Sequence, residues 1–93
     1  MARLIARIKV LPTDIDVNLD ALSNKLKSSL PNGMELKNSL KEPIAFGLNA
    51  LIVDFLLDDK EGQMDMLESM VRQTEGVSEI EVMKISRQSA SLG

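Results

Sequence analysis

The sequence feature that most constrains the fold is an apolar run near the middle of the chain, from Leu48 to Leu57. Apolar side chains occupy alternate positions on both faces of this run, which predicts a strand lying inside a sheet rather than at its edge. Asp54 is the one charged residue within it. Just before the run, Pro43 lacks a backbone donor and Gly47 has no side chain to pack, so we expect a shaped loop there.

The remaining sequence alternates predicted strands and helices on either side of this run. Alternating polar and apolar residues predict the strands, and leucines spaced three and four apart, after an N-capping Asn18, predict the first helix. Lysines flanking the weakly alternating second strand are typical of a sheet edge. In chain order we expect a strand at 4–10, a helix at 19–30, strands at 34–40 and 48–57, a helix at 62–74 and a strand at 77–85.

This order of elements predicts a single α+β domain with the ferredoxin-like βαββαβ sandwich. Right-handed crossovers give a four-stranded antiparallel sheet in the order 4-1-3-2, with both helices on one face. The first and third strands, the most apolar, then lie in the centre. The small polar residues from Ser86 onward predict a frayed end, so the domain is expected to span residues 1–88, with a flexible tail at 89–93.

The composition excludes several classes of function. The 93 residues include no Cys and no His, which removes disulfides, thiolate chemistry and the commonest general base and zinc ligand, so we expect neither metal nor cofactor. A net charge of -3 and two aromatic residues argue against direct nucleic-acid binding. No stretch has the pattern of a signal peptide or membrane span, which predicts a soluble cytoplasmic protein, expected to be a monomer.

Three features admit both a structural and a functional interpretation. Gly47 could mark a β-bulge or a close backbone approach, or it could belong to a loop that presents Phe46 outward. Arg87, just beyond the last predicted strand, could be an ordinary solvated charge or a mobile cation delivered to a phosphate or metal site on a partner. The helical spacing of Met64, Met66 and Met70 favours core packing over soft-metal binding.

Four segments in the correct order resemble one known family. The segments are Ala6 to Pro12, the loop Pro43-Ile44-Ala45-Phe46-Gly47-Leu48, the Asp-Asp-Lys-Glu-Gly turn at 58–62 and Glu75 to Val82. Together they resemble the guanine nucleotide exchange domain of translation elongation factor 1-beta over about residues 3 to 88. Because it shows no N-terminal extension, the sequence resembles the compact archaeal form of this family.

The resemblance implies the same ferredoxin-like fold and a non-covalent activity. A domain of this family binds the GTPase elongation factor 1-alpha, promotes GDP release and lets GTP enter, without covalent catalysis or a cofactor. By the motif match, Phe46 would pack on the GTPase, Gly47 would allow the turn, and Ile44 would contribute to the same contact. Arg87 would reach the magnesium and phosphate region, although this position often holds Lys and is usually followed by fewer residues.

Two other functions share the expected architecture. A regulatory module that binds a small molecule, usually as a dimer, remains the main alternative because it rests on the same fold. An acylphosphatase-like enzyme needs Gly and Arg in the loop after the first strand, and residues 11–17 contain neither but include two acids. A metallochaperone of this fold would need cysteine pairs, which the sequence lacks.

Overall fold

The computed structural model describes residues 2–88 and contains the six expected elements in the expected order. Asn18 caps the first helix as predicted, since its side-chain oxygen accepts a hydrogen bond of 3.0 Å from the backbone N–H of Ala21. The elements are β1 (Arg3–Pro12), α1 (Leu19–Ser29), β2 (Glu35–Ala45), β3 (Leu48–Asp58), α2 (Gln63–Gln73) and β4 (Val77–Gln88).

The four strands form one antiparallel sheet in the order β2-β3-β1-β4, which confirms the predicted topology. β3 lies between β1 and β2, where neighbouring strands cover both of its edges. Most apolar side chains on both faces of β3 are withdrawn from solvent. The buried residues of this strand are Ala50, Leu51, Ile52, Val53, Phe55, Leu56 and Leu57.

The hydrophobic core lies between one face of the sheet and the two helices. Phe55 is fully buried there, together with Leu26 from α1 and Leu67 and Val71 from α2. Burying a large apolar side chain of this kind contributes about 1.5–3 kcal/mol each to folding. The core thus fixes both helices on one side and leaves the other face of the sheet without a helix.

The helix-free face explains how a central strand tolerates the carboxylate of Asp54. Arg7 on β1 stands directly opposite and forms two bonds to this carboxylate, from Nε to Oδ1 at 2.8 Å and from Nη2 to Oδ2 at 3.1 Å. The hydrogen bond to Asp54, supported by its negative charge, raises the pKa of Arg7. Lys9 and Glu42 form a second cross-strand pair of this face at 3.3 Å.

Two boundaries differ from the sequence expectation by three residues or more, and the others differ by at most two. The expectation of fraying from Ser86 onward is wrong for Ser86, Arg87 and Gln88, which belong to β4 because β1 begins at Arg3 and offers each of them a partner. The predicted tail at 89–93 lies outside the described residues. β2 also continues through Pro43 to Ala45, since an edge strand tolerates proline where no ladder bond is needed.

One of the three helical methionines does not join the core. Met64 and Met70 pack against it, on the same side of α2 as Leu67 and Val71. Met66 is 50% exposed, so the expectation of core packing is wrong for this residue. The face of α2 that packs on the sheet does not include every apolar residue of the helix, and Met66 lies outside that face.

Candidate functional site

The tip of the β2–β3 hairpin is a two-residue loop made of Phe46 and Gly47. Ala45 pairs with Leu48 and closes the loop, while φ is +53° at Phe46 and +80° at Gly47. Positive φ at both positions is the pattern of a type I′ turn, which matches the twist of the flanking strands and favours Asn-Gly. Phenylalanine is an unfavourable choice there, because a left-handed backbone costs a residue with a side chain about 1–2 kcal/mol.

The side chain of Phe46 is 97% exposed. A large aromatic ring in a strained backbone position, without burial, does not stabilise the isolated fold. Among the described residues other than glycine, Phe46 is the only one with a positive φ. The turn therefore holds the Phe46 side chain outward into solvent at the expense of a strained backbone.

The structure decides between the two interpretations of Gly47. A Cβ atom at position 47 would meet no other atom within 4 Å, so the glycine is not needed to let another part of the backbone approach. The positive φ of this residue is what favours glycine. The irregularity in strand pairing nearest the tip lies instead between Pro43 and Ala45, at Ile44. Ile44 is 39% exposed beside the tip. Gly47 thus belongs to an outward loop, as one interpretation predicted.

Arg87 lies near the opposite end of the sheet. It pairs in register with Leu4 at the start of β1, and its guanidinium Nη2 lies 2.6 Å from Oδ2 of Asp59. The side chain is 68% exposed despite this contact. Asp59 is itself fixed by a hydrogen bond of 3.2 Å from its backbone N–H to the carbonyl of Ala2. Arg87 is therefore a strand residue in an ion pair, and not a charge on a loose tail.

The surroundings of Arg87 contain a second arginine with its own acidic partners. Arg3 lies 3.3 Å from Asp58 and 3.8 Å from Glu35, and it donates a hydrogen bond of 2.6 Å to the carbonyl of Gly33. These contacts join the start of β1 to the end of β3 and to the turn before β2. The two arginines thus pair with adjacent residues of the chain, Arg3 with Asp58 and Arg87 with Asp59.

The structure does not bring Phe46 and Arg87 together. Phe46 lies before β3, separated from it by Gly47, and Asp59, the partner of Arg87, follows the last residue of β3. Eleven residues of extended strand separate the two positions, or about 36 Å at a rise of ~3.3 Å per residue. The molecule is 44 Å long, so the two groups occupy its two ends and one pocket cannot receive both.

Sequence reasoning missed Asp59 as the partner of Arg87. The adjacent acids Asp58 and Asp59 were visible after the apolar run, but nothing in their spacing indicated an arginine about thirty residues later. The predicted strand order could have found the pair. In that order both β3 and β4 run antiparallel to β1, so both end near its first residues.

Two further findings bear on function. Within residues 2–88, no group of three or more carboxylate, His or Cys side chains is arranged to hold a metal ion. No helix in that part of the chain is long and apolar enough to cross a membrane.

The comparisons with known proteins identify the family. Residues 5–87 match the EF-1 guanine nucleotide exchange domain, and the chain belongs to that family. Its function is guanine nucleotide exchange in translation elongation, and the resemblance of the four sequence segments is confirmed. The curated relatives carry the name elongation factor 1-beta.

Three of these relatives show how completely the similarity covers the chain. Elongation factor 1-beta of Staphylothermus marinus is 43% identical over 88 residues, covering 94% of this chain and 98% of that protein. The Methanothermobacter thermautotrophicus protein is 42% identical over 87 residues, with the same two coverages. The Thermococcus onnurineus protein is 47% identical over 85 residues, covering 90% of this chain and 93% of its own.

Two solved structures share the fold at low identity. The C-terminal domain of the MgtC protein from Mycobacterium tuberculosis has a TM-score of 0.53 at 13% identity, covering 98% of this chain and 92% of that domain. LarC2, the C-terminal domain of a cyclometallase, has a TM-score of 0.54 at 14% identity, covering 96% of this chain and 58% of that one. Identities this low establish the architecture alone.

Proposed function

We propose that this chain promotes GDP release from the GTPase elongation factor 1-alpha by contacting it at two separate places. Phe46, with Ile44 and Gly47, forms one contact at the hairpin tip, and Arg87 forms the other at the far end of β4. The observation that carries the proposal is the near-complete exposure of Phe46 on a strained turn. We place this activity in the cytoplasm, with the chain acting as a monomer that binds no nucleic acid directly.

Phe46 is suited to act as an anchor because its position is fixed before binding. The turn joins two paired strands, so the backbone loses little conformational freedom when the ring enters a pocket. An aromatic side chain can bury roughly 150–250 Å² on binding. Interface residues of this kind contribute about 2–4 kcal/mol when they fill a dry pocket.

Arg87 would act on the charge of the bound nucleotide. In a GTPase, Mg²⁺ and the phosphates hold each other in place, and a competing cation weakens that arrangement. A guanidinium can also form paired hydrogen bonds with phosphate oxygens. Arg87 must first leave Asp59, but the pair is exposed enough that its loss costs at most about 1 kcal/mol.

Exchange by this route needs no covalent step. The factor must bind the nucleotide-free GTPase more tightly than the GDP-bound form, so that binding energy displaces GDP. A thousandfold acceleration corresponds to a barrier lowered by about 4 kcal/mol. One aromatic anchor and one cation near the phosphates could supply an effect of that size, provided that they bind the nucleotide-free GTPase more strongly.

The test is the release of fluorescent GDP from the cognate elongation factor 1-alpha after unlabelled GDP is added. The wild-type chain should accelerate release, and Phe46→Asn, which keeps a residue that suits the turn, should lose most of that acceleration. Met66→Ala serves as a matched control, because Met66 is an exposed apolar residue on α2. Release that is not accelerated by the wild-type chain would refute the proposed function.

A further inference from the structure

Besides Phe46 and Ile44, a further apolar side chain stands exposed at the same end of the molecule. Ile15 is 64% exposed in the loop between β1 and α1. It occupies a central position of the turn from Asp14 to Val17, where the N–H of Val17 donates to the carbonyl of Asp14 at 3.4 Å. Central turn positions normally hold Gly, Pro, Asn, Asp or Ser, so the fold alone gives no reason for isoleucine.

The loop that carries Ile15 is held in place on both sides. The N–H of Asp16 donates to Oδ1 of Asp14 at 2.8 Å, which fixes the turn from within. The N–H of Thr13 donates to the carbonyl of Gly76 at 3.0 Å, which ties the loop to the turn before β4. Ile15 therefore has a defined position, as Phe46 does.

The turn and the hairpin tip flank one groove. Ile15 and Asp14 line it on one side, and Gly47 and Asn49 line it on the other. Asp20 and Lys41 lie across the same groove and form an ion pair at 3.2 Å. Ile15 lines the groove itself, and Phe46 is the chain neighbour of Gly47, so both exposed side chains lie on the surface around this groove.

The charge of this surface is negative. Lys41 neutralises Asp20, whereas Asp14 and Asp16 form no ion pair among the described residues. Like charges that meet across an interface are strongly unfavourable, so a second copy of the chain could not dock here through the same surface. A partner surface complementary to this one would carry cations around an apolar recess.

We propose that Ile15 is a second apolar anchor for the GTPase, with Asp14 and Asp16 contacting basic side chains around the pocket that receives Phe46. This inference rests on the proposed function and adds a contact to the same site. Two anchors fixed on separate turns resist rotation of the bound chain, which one protruding ring does not. The acidic residues would mainly raise the rate of association.

The experiment measures the affinity of the chain for nucleotide-free elongation factor 1-alpha together with GDP release. Ile15→Ala and the turn-compatible Ile15→Asn should each weaken binding about tenfold, within the usual range for an interface anchor. Met66→Ala should bind like the wild type, and thermal unfolding should show all variants folded. Asp16→Asn should slow association severalfold at low salt, with the difference disappearing at high salt.

The outcomes separate the two proposals. Wild-type affinity in both Ile15 variants, together with a clear loss in Phe46→Asn, would overturn the role of Ile15 and leave the proposed function standing. A wild-type chain that neither binds the GTPase nor accelerates GDP release would overturn the proposed function itself. An Asp16→Asn effect that persists at high salt would contradict the basic character of the partner surface.

Discussion

Arg87 and Asp59 form an ion pair of 2.6 Å that joins the end of β4 to the turn after β3. The pair holds the cation at the edge of the molecule while leaving most of the arginine side chain exposed. If Arg87 acts on the phosphates of a bound nucleotide, Asp59 competes for it. Removal of Asp59 and removal of Arg87 are therefore expected to change GDP release in opposite directions.

Asp59→Asn should accelerate GDP release by about two- to fivefold. The carboxylate no longer retains Arg87, and an exposed pair of this kind stabilises the free chain by roughly 0.2–1 kcal/mol. Stopped-flow release of fluorescent GDP measures the change. Adding Arg87→Ala to Asp59→Asn should abolish the gain. Slower release in Asp59→Asn would show instead that Asp59 holds Arg87 in its productive position.

Arg87→Ala should slow GDP release more than it weakens the complex with the nucleotide-free GTPase. The guanidinium of Arg87 would act at the phosphates of the nucleotide, so its loss mainly affects the step in which GDP is displaced. Arg87→Lys should restore part of the rate, because the ammonium keeps the charge but not the planar fork. Titration and release kinetics on the same variants separate the two effects. Equal release rates with and without the side chain would remove Arg87 from the site.

Phe46→Asn should stabilise the isolated chain while impairing exchange. Asparagine adopts the left-handed conformation of the turn with less strain, so the free energy of unfolding should rise by about 0.5–1 kcal/mol. Urea unfolding measures the stability. A stabilised variant with full exchange activity would mean that Phe46 has no role in binding. A destabilised variant would mean that the ring supports the fold despite its exposure.

Phe55→Ala should lower the free energy of unfolding by about 3–5 kcal/mol, because it leaves a cavity in the core between β3 and the helices. Phe55 is fully buried, whereas Phe46 is almost fully exposed, so the two phenylalanines make a matched comparison. Met66→Ala should change stability by less than about 0.5 kcal/mol. A small loss in Phe55→Ala would contradict the assignment of β3 as the centre of the core.

The sequence predicted the elements and their order because each depends on local patterns. The apolar run around Val53 required a central strand, and Asn18 marked the start of a helix. The extent of β4 could not be predicted, because Ser86 to Gln88 are ordered by pairing with the start of β1 and not by their own composition. The left-handed turn at Phe46 was ambiguous for the same reason, since only the paired strands define it.

The candidate site was predicted residue by residue, but its geometry was not. The residues alone left two interpretations open for Phe46 and Arg87, and the family resemblance implied their roles but no distance between them. Their separation follows from β3, which runs the full length of the sheet between the hairpin tip and Asp59. Ile15 escaped notice because one isoleucine in a polar loop has no distinctive pattern until its exposure is known.

The most direct test of two separate contacts is GDP release measured with Phe46→Asn, Arg87→Ala and the double variant on one preparation of elongation factor 1-alpha. Sites this far apart should contribute independently, so the two losses in kcat/KM should multiply, within about a factor of two. A double variant no slower than the worse single variant would contradict two independent contacts on the GTPase.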